Sequence, residues 1–276
     1  MTKNNKSRTL INIIGLPLII SSILLGGYYF GFFIFLVIIL GTKEYIDLLN
    51  KHSINPSSRL LYFGQLILIL LSLFYLGLDS MFGKVKIILP VMLITPLLIS
   101  FIAMIMEIFK KSSTPLFNIS TTVFGFIWVG VFINSLIFLR QEAGAILTLV
   151  IFLSLWTCDT FAFFFGKHFG KTKIMPDVSP NKTVLGSISG LIGSILLLVI
   201  LSYFSVIELS ITQSFILALI TGGISQFGDF FESALKRELN IKDTSNILRG
   251  HGGVLDRFDS LSIIAPLLLL FIHLIK

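Results

Sequence analysis

"DRFDSLSIIAPLLLLFIHLI", residues 256–275, opens with two carboxylates and an arginine in four positions, then runs from Leu261 to Ile275 without an Asp, Glu, Lys or Arg. A helix rises about 1.5 Å per residue, so roughly 20 mostly apolar residues cross a hydrocarbon layer of about 30 Å. The stretch reads as a membrane-spanning helix with a charged entrance. The fold class then depends on whether the rest of the chain is built the same way.

It is. The 276 residues are 55% hydrophobic and only 13% charged, with 27 Phe, and the mean hydropathy is +0.96. Soluble domains are about a quarter charged, so an all-α polytopic membrane protein is expected. Apolar runs between polar breaks mark about nine transmembrane helices, near residues 10–25, 28–49, 60–78, 86–108, 116–139, 144–166, 184–206, 212–236 and 260–275. The first two are separated only by "LLGGYY", where Gly26 and Gly27 make either a tight turn or a weak point in one long helix. The N-terminal "MTKNNKSR" before an apolar run resembles a signal peptide without a small-x-small cleavage site, and reads as an uncleaved first helix.

With nine spans and a cytoplasmic N-terminus, 17 of the 21 Lys and Arg residues fall on the cytoplasmic side, as the positive-inside rule requires. The formal charge of +7 is then a topology signal reinforced by anionic lipid. No nucleic acid partner is needed to explain it. Cys158 alone forms no internal disulfide, and the four His have no zinc-ligand spacing. No repeat or linker divides the chain. One domain over 1–276 is expected, with hydrophobic helices over 1–150 and a catalytic half over 151–276 that carries two cytoplasmic polar loops.

Those loops are "GKHFGKTKIMPDVSPNKT", residues 166–183, and the stretch from about 237 to 259; on the expected topology both are cytoplasmic and able to meet. The helix before the second loop is unusual. In "GISQFGDFFESALKRE", residues 223–238, Gln226, Asp229, Ser233, Lys236 and Arg237 share one helical face that enters the apolar layer. A carboxylate at that depth costs a few kcal/mol, so Asp229 needs a partner or a task. Pairing with Lys236 or Arg237 is the purely structural alternative. Asp256 and Asp259, three residues apart at a helix start, read equally as caps or as ligands. Gly250, Gly252 and Gly253 around His251 suit a loop whose N–H groups wrap an anion, or simply a flexible turn. Together, carboxylates, basic side chains and a Gly-rich loop suit a polyphosphate with a divalent metal, because Mg²⁺ takes one or two carboxylates plus phosphate oxygens.

The order Ser233, Lys236-Arg237, Lys242-Asp243, Gly250-His251-Gly252-Gly253, Asp256-Arg257, Asp259 closely resembles the signature of the phosphatidate cytidylyltransferases, the CDP-diacylglycerol synthases. Upstream, "CDTFAFFFGKHFGK" and "VSPNKT" resemble that family's Asp-containing helix and its Ser-Pro-x-Lys-Thr loop. The resemblance covers residues 155–260. Three positions depart from it: Arg249 stands where Pro or Gly is usual, and Val184 and Leu185 replace an aromatic and an acidic residue.

The resemblance implies transfer of the cytidylyl group of CTP to phosphatidic acid, giving CDP-diacylglycerol and pyrophosphate. The residues support this independently, since a lipid phosphomonoester is already an anionic nucleophile and the chain shows no catalytic triad. Asp229 and Asp256 are the expected metal ligands, for Mg²⁺ alone or with a second cation. Lys236 and Arg237 join them as catalytic residues that hold phosphates. Lys242, Arg257 and His251 would contact substrate or orient the loop with Gly252 and Gly253, and Asp243 and Asp259 would fix those bases. Ser179, Lys182 and Thr183 resemble a second phosphate-contacting loop, Asp159 is a further membrane-embedded carboxylate, and Ser233 is either a substrate contact or a small residue at a helix contact. The expected partners are CTP, phosphatidic acid and membrane lipids, with a homodimer left open and the site on the cytoplasmic side of a bacterial inner membrane. Two other readings stand beside this one: a CTP-dependent polyprenol or phytol kinase, and a cation-coupled transporter using Asp159 and Asp229.

Overall fold

The computed structural model describes residues 3–82, 88–110, 112–245, 247–248 and 252–276. The described residues are helical, with no strand among them; a single bridge joins Lys173 and Thr183. In chain order the helices are α1 (Lys3–Leu25), α2 (Gly27–Lys51), α3 (Ser58–Phe82), α4 (Ile88–Lys110), α5 (Pro115–Gly125), α6 (Ile133–Phe169), α7 (Val184–Tyr203), α8 (Ile211–Ala218), α9 (Ser225–Glu238) and α10 (Leu255–Ile275). Wider π-helical turns, Phe126–Phe132 and Leu219–Ile224, join α5 to α6 and α8 to α9.

Six of the described helical runs are long and apolar enough to cross a membrane: Ser58–Leu78, Met92–Lys110, Pro115–Phe169, Val184–Tyr203, Ile211–Glu238 and Leu255–Ile275. The chain is an integral membrane protein. The run Pro115–Phe169 is 55 residues long, about 80 Å if straight, but it is broken at Gly144, whose φ of 78° and ψ of 177° are not helical. That backbone region is accessible essentially to glycine alone, and placing another residue there costs about 1–3 kcal/mol. Nothing lies within 4 Å of a Cβ built at Gly144, so Gly144→Ala is expected to destabilise through the backbone alone. Its melting temperature in detergent should fall by several degrees; an unchanged value would contradict the break.

The residues fall into two compact units, Met1–Gln141 with Asp243–Arg257, and Glu142–Lys242 with Phe258–Lys276. In the first unit, Phe30, Ile34, Ile38, Leu61, Leu68, Phe126 and Ile133 are buried. Several polar side chains within its apolar helices find partners, which lowers the cost of placing them in a low-dielectric interior. Asn134 donates to the Ser72 hydroxyl at 2.8 Å, and Asn118 donates to Glu107 at 3.1 Å. "LLGGYY" proves to be a true break, with α1 ending at Leu25, α2 beginning at Gly27, and Gly26 at φ 63°. Arg140, which the sequence offers only as a topology charge, supplies the reason the break is stable. Its guanidinium donates to the Ile23 carbonyl at 2.6 Å and the Leu24 carbonyl at 3.4 Å, satisfying groups that a helix C-terminus leaves open. A Cβ at Gly26 would stand 2.7 Å from Arg140 Nη2.

In the second unit, α7 packs closely on the C-terminal part of α6 through small residues: a Cβ at Gly190 would lie 2.9 Å from the Cys158 carbonyl oxygen. The Ser154 and Thr221 hydroxyls bond at 2.7 Å, and Ser194 donates to the Ser154 carbonyl at 3.1 Å. Cys158 is buried and free, in keeping with a packing role. This tight framework carries the polar loop between α6 and α7.

Candidate active site

The loop between α6 and α7 is compact. Ile174 N–H donates to the Lys182 carbonyl at 3.2 Å, Val184 N–H to the Thr172 carbonyl at 3.0 Å, and Ser179 N–H to the Met175 carbonyl at 2.8 Å. Thr183 ends it as the N-cap of α7: its hydroxyl accepts from Gly186 N–H at 3.1 Å, and the residue is buried. This cap satisfies one of the open donors at the helix start. Val184 and Leu185, the departures from the family pattern, are exposed on the first turn of α7.

Capping in this way leaves Lys182 projecting from the loop's last turn toward α9. There it forms an ion pair with Asp229, and its ammonium stands 4.4 Å over the Phe230 ring. Ser233, one turn after Asp229, donates to Asp229 Oδ1 at 3.3 Å. The expected face of α9 is therefore real, but its ion pairing differs from the local alternative. Lys236 pairs at 3.4 Å with Glu232, a buried carboxylate at i−4 on the same helix, rather than with Asp229. Arg237 donates to the Val178 carbonyl at 3.2 Å and to the Ile241 carbonyl at 3.1 Å. The polar loop thus meets α9, with a lysine and an arginine as the links.

Two more carboxylates belong to this unit. Asp259, half-buried on α10, feels the charges of Asp229, Asp159 and Lys236. Asp159 is exposed on α6, and Lys242 is exposed beyond the end of α9. Asp159, Asp229 and Asp259 outnumber Lys182 and Lys236 in this unit, and an acidic excess of that kind suits a cation bound together with polyphosphate. Among the described residues no three His, Cys, Asp or Glu side chains form a ready metal-binding group, so any ion there would take much of its coordination from phosphate oxygens and water.

Asp243, Gly252, Gly253, Asp256 and Arg257 belong to the first unit. Asp243 and Arg257 are exposed, and Gly252 adopts φ 77°. Asp256 resolves part of the cap-or-ligand question, because its Oδ2 accepts from Thr244 N–H at 3.0 Å, the Thr244 hydroxyl at 2.9 Å and Gly253 N–H at 2.7 Å. It organises the turn that enters α10. His251 and Arg249 lie outside the described residues.

Residues 6–275 match the model of the cytidylyltransferase family. The chain belongs to that family. A phosphatidate cytidylyltransferase of Staphylococcus haemolyticus is 33% identical over 263 residues, covering 95% of this chain and 97% of the relative. Its counterpart in Staphylococcus aureus is 32% identical over 272 residues, covering 95% and 97%. A phosphatidate cytidylyltransferase of Synechocystis is 29% identical over 296 residues, covering 97% and 96%.

Family membership thus extends well beyond residues 155–260, where the sequence motifs lie, into helices whose only legible property is hydrophobicity. Those helices hold the residue that sequence reasoning missed. Glu44, on α2, is buried to 1% and accepts backbone donors from Val254 and Leu255 at 2.8 and 2.9 Å. The signal available was a carboxylate, with Lys43 and Asp47 near it, at the end of an apolar run, which reads as a solvated helix end.

Proposed function

We infer that this member of the cytidylyltransferase family transfers the cytidylyl group of CTP to phosphatidic acid, forming CDP-diacylglycerol and pyrophosphate in phospholipid synthesis. A phosphate oxygen of the lipid attacks the α-phosphorus of CTP, the bond from that phosphorus to the bridging oxygen breaks, and pyrophosphate leaves with the electron pair. The obstacle is repulsion between two anions. The observation that carries the reading is the cluster of Lys182, Asp229 and Ser233, with Lys236, Asp159 and Asp259 in electrostatic reach, in a chain of this family.

Lys182, Lys236 and Arg237 would neutralise the triphosphate and the departing pyrophosphate. From the motif, Lys242, Arg257 and His251 would contact substrate phosphates or orient the loop, with Gly252 and Gly253 admitting phosphates close to the backbone. From the same motif, Asp229 and Asp256 would each serve as a carboxylate ligand for Mg²⁺, which when bound supplies Lewis-acid stabilisation of the phosphoryl oxygens. Asp259, Asp243 and Asp159 would orient the bases. Ser179 and Thr183 act through the shape of the loop that presents Lys182, in keeping with the Thr183 cap.

Nine crossings with a cytoplasmic N-terminus fit this chemistry, since CTP is an intracellular metabolite and the charged loops then face it. The run Pro115–Phe169 would cross twice, turning at Gly144. In a bacterial cell the site would open on the inner leaflet of the cell membrane.

Product analysis tests the reaction. Purified protein given Mg²⁺, phosphatidate, a polyprenol and CTP labelled at the α-phosphorus is expected to place the label in a lipid product and release unlabelled pyrophosphate. Label remaining in CDP, with a phosphorylated lipid alcohol formed, would instead indicate a kinase; cation flux without nucleotide turnover would indicate a transporter.

A further inference from the structure

A carboxylate buried in a membrane protein is costly unless its oxygens are satisfied. Glu44 is satisfied by a single segment of chain about 200 residues away in sequence. Its Oε1 accepts from the Ser245 hydroxyl at 2.7 Å and from Val254 N–H at 2.8 Å. Its Oε2 accepts from Leu255 N–H at 2.9 Å, with the Thr244 hydroxyl at 3.5 Å. All of these residues belong to the first compact unit.

Val254 and Leu255 carry the first open N–H groups of α10, so the Glu44 charge sits where a helix dipole favours an anion. The backbone is laid directly against it: a Cβ at Gly253 would stand 2.7 Å from Glu44 Cδ. One turn earlier on α2, a Cβ at Gly41 would stand 3.0 Å from Leu255 Cδ2, so the Leu255 side chain, itself buried, fills the space over Gly41. The residues flanking those that Glu44 binds hold Asp256: Thr244 precedes Ser245, and Gly253, whose backbone is packed against the Glu44 carboxylate, precedes Val254. Thr244 donates to Asp256 through both its N–H and its hydroxyl, and Gly253 donates through its N–H.

We propose that Glu44 is a positioning residue of the active site: it clamps Thr244, Ser245 and the start of α10, and through them sets the position of Asp256. The proposal rests on the reading above that Asp256 is a metal ligand. Groups that orient a ligand without touching the metal typically matter about 10- to 100-fold in metal affinity or activity. A carboxylate suits position 44 because two backbone N–H groups and the Ser245 hydroxyl donate to it.

The test uses full-length protein in detergent. Glu44→Ala is expected to raise the Mg²⁺ concentration for half-maximal turnover, and to lower kcat/KM for CTP, by about 10- to 100-fold. Without nucleotide or metal, amide hydrogen exchange at Thr244, Gly253, Val254 and Leu255 should accelerate, while helices remote from α2 keep their rates. Glu44→Gln, which keeps the volume, and Ser245→Ala, which removes one donor, should shift both readouts in the same direction by less, and they carry the test if the alanine variant does not fold. A folded variant with faster unfolding but an unchanged Mg²⁺ half-saturation would show a merely structural role and overturn the proposal, as would unchanged exchange at Thr244, Gly253, Val254 and Leu255. Failure of the underlying reading looks different: the unmodified protein would make no CDP-lipid, or Asp256→Asn would keep normal Mg²⁺ dependence, whatever the exchange at Glu44's donors.

Discussion

Asp229→Asn is expected to lower kcat for CDP-diacylglycerol formation by about 10²- to 10³-fold or more, the scale on which loss of one preorganised charge-stabilising group is felt. The substitution keeps the shape of the side chain and an oxygen able to accept from Ser233, which donates to Asp229 Oδ1 at 3.3 Å. What it removes is the negative charge. Lys182 then loses its ion-pair partner, and the cluster with Asp159, Asp259 and Lys236 changes its balance. Because Asp229 is half-buried, the lost charge is poorly replaced by solvent. Fold should survive, since the structure around it is held by the Thr183 cap and by Arg237 on the Val178 carbonyl. Turnover measured alongside the melting temperature checks this: a folded variant at full rate would remove Asp229 from the chemistry.

Asp256→Asn is expected to reduce turnover by about 10²-fold or more and, unlike the first substitution, to cost stability as well. Three donors converge on Asp256 Oδ2, and hydrogen bonds to a charged acceptor are worth about 1.5–3 kcal/mol. An asparagine oxygen accepts the same donors without the charge, so part of that contribution is lost, along with the favourable carboxylate at the start of α10. A drop of several degrees in melting temperature should accompany the loss of activity. If activity falls and added Mg²⁺ restores none of it while stability is untouched, the turn is intact and the residue acts on the reaction alone. If stability falls and turnover does not, Asp256 is a cap and the metal reading is wrong.

The contrast between these two aspartates shows what local sequence carries. Asp229 stands out as a charge inside an amphipathic face that enters lipid, and Ser233 and Lys236 follow from helical spacing alone. Its partner does not follow. Spacing makes Lys236 or Arg237 the nearest cations along the helix, yet Lys236 turns to Glu232 at 3.4 Å and Lys182 arrives from another element. A lysine at i+4 from Glu232 and i+7 from Asp229 reaches the nearer carboxylate more easily, and this is visible only once the burial of Glu232 is known.

Composition and hydropathy by themselves determined that this chain is a helical membrane protein, where its polar loops lie and that Asp229 is costly, because water-to-lipid transfer acts residue by residue and leaves a local record. The motif order determined the family. Tertiary structure alone decided that Arg140 closes the end of α1, that Lys182 faces Asp229, and that Glu44 clamps the entrance of α10. Those are contacts between residues from 47 to more than 200 positions apart. Their free energy depends on which groups become buried together, and no local periodicity records that.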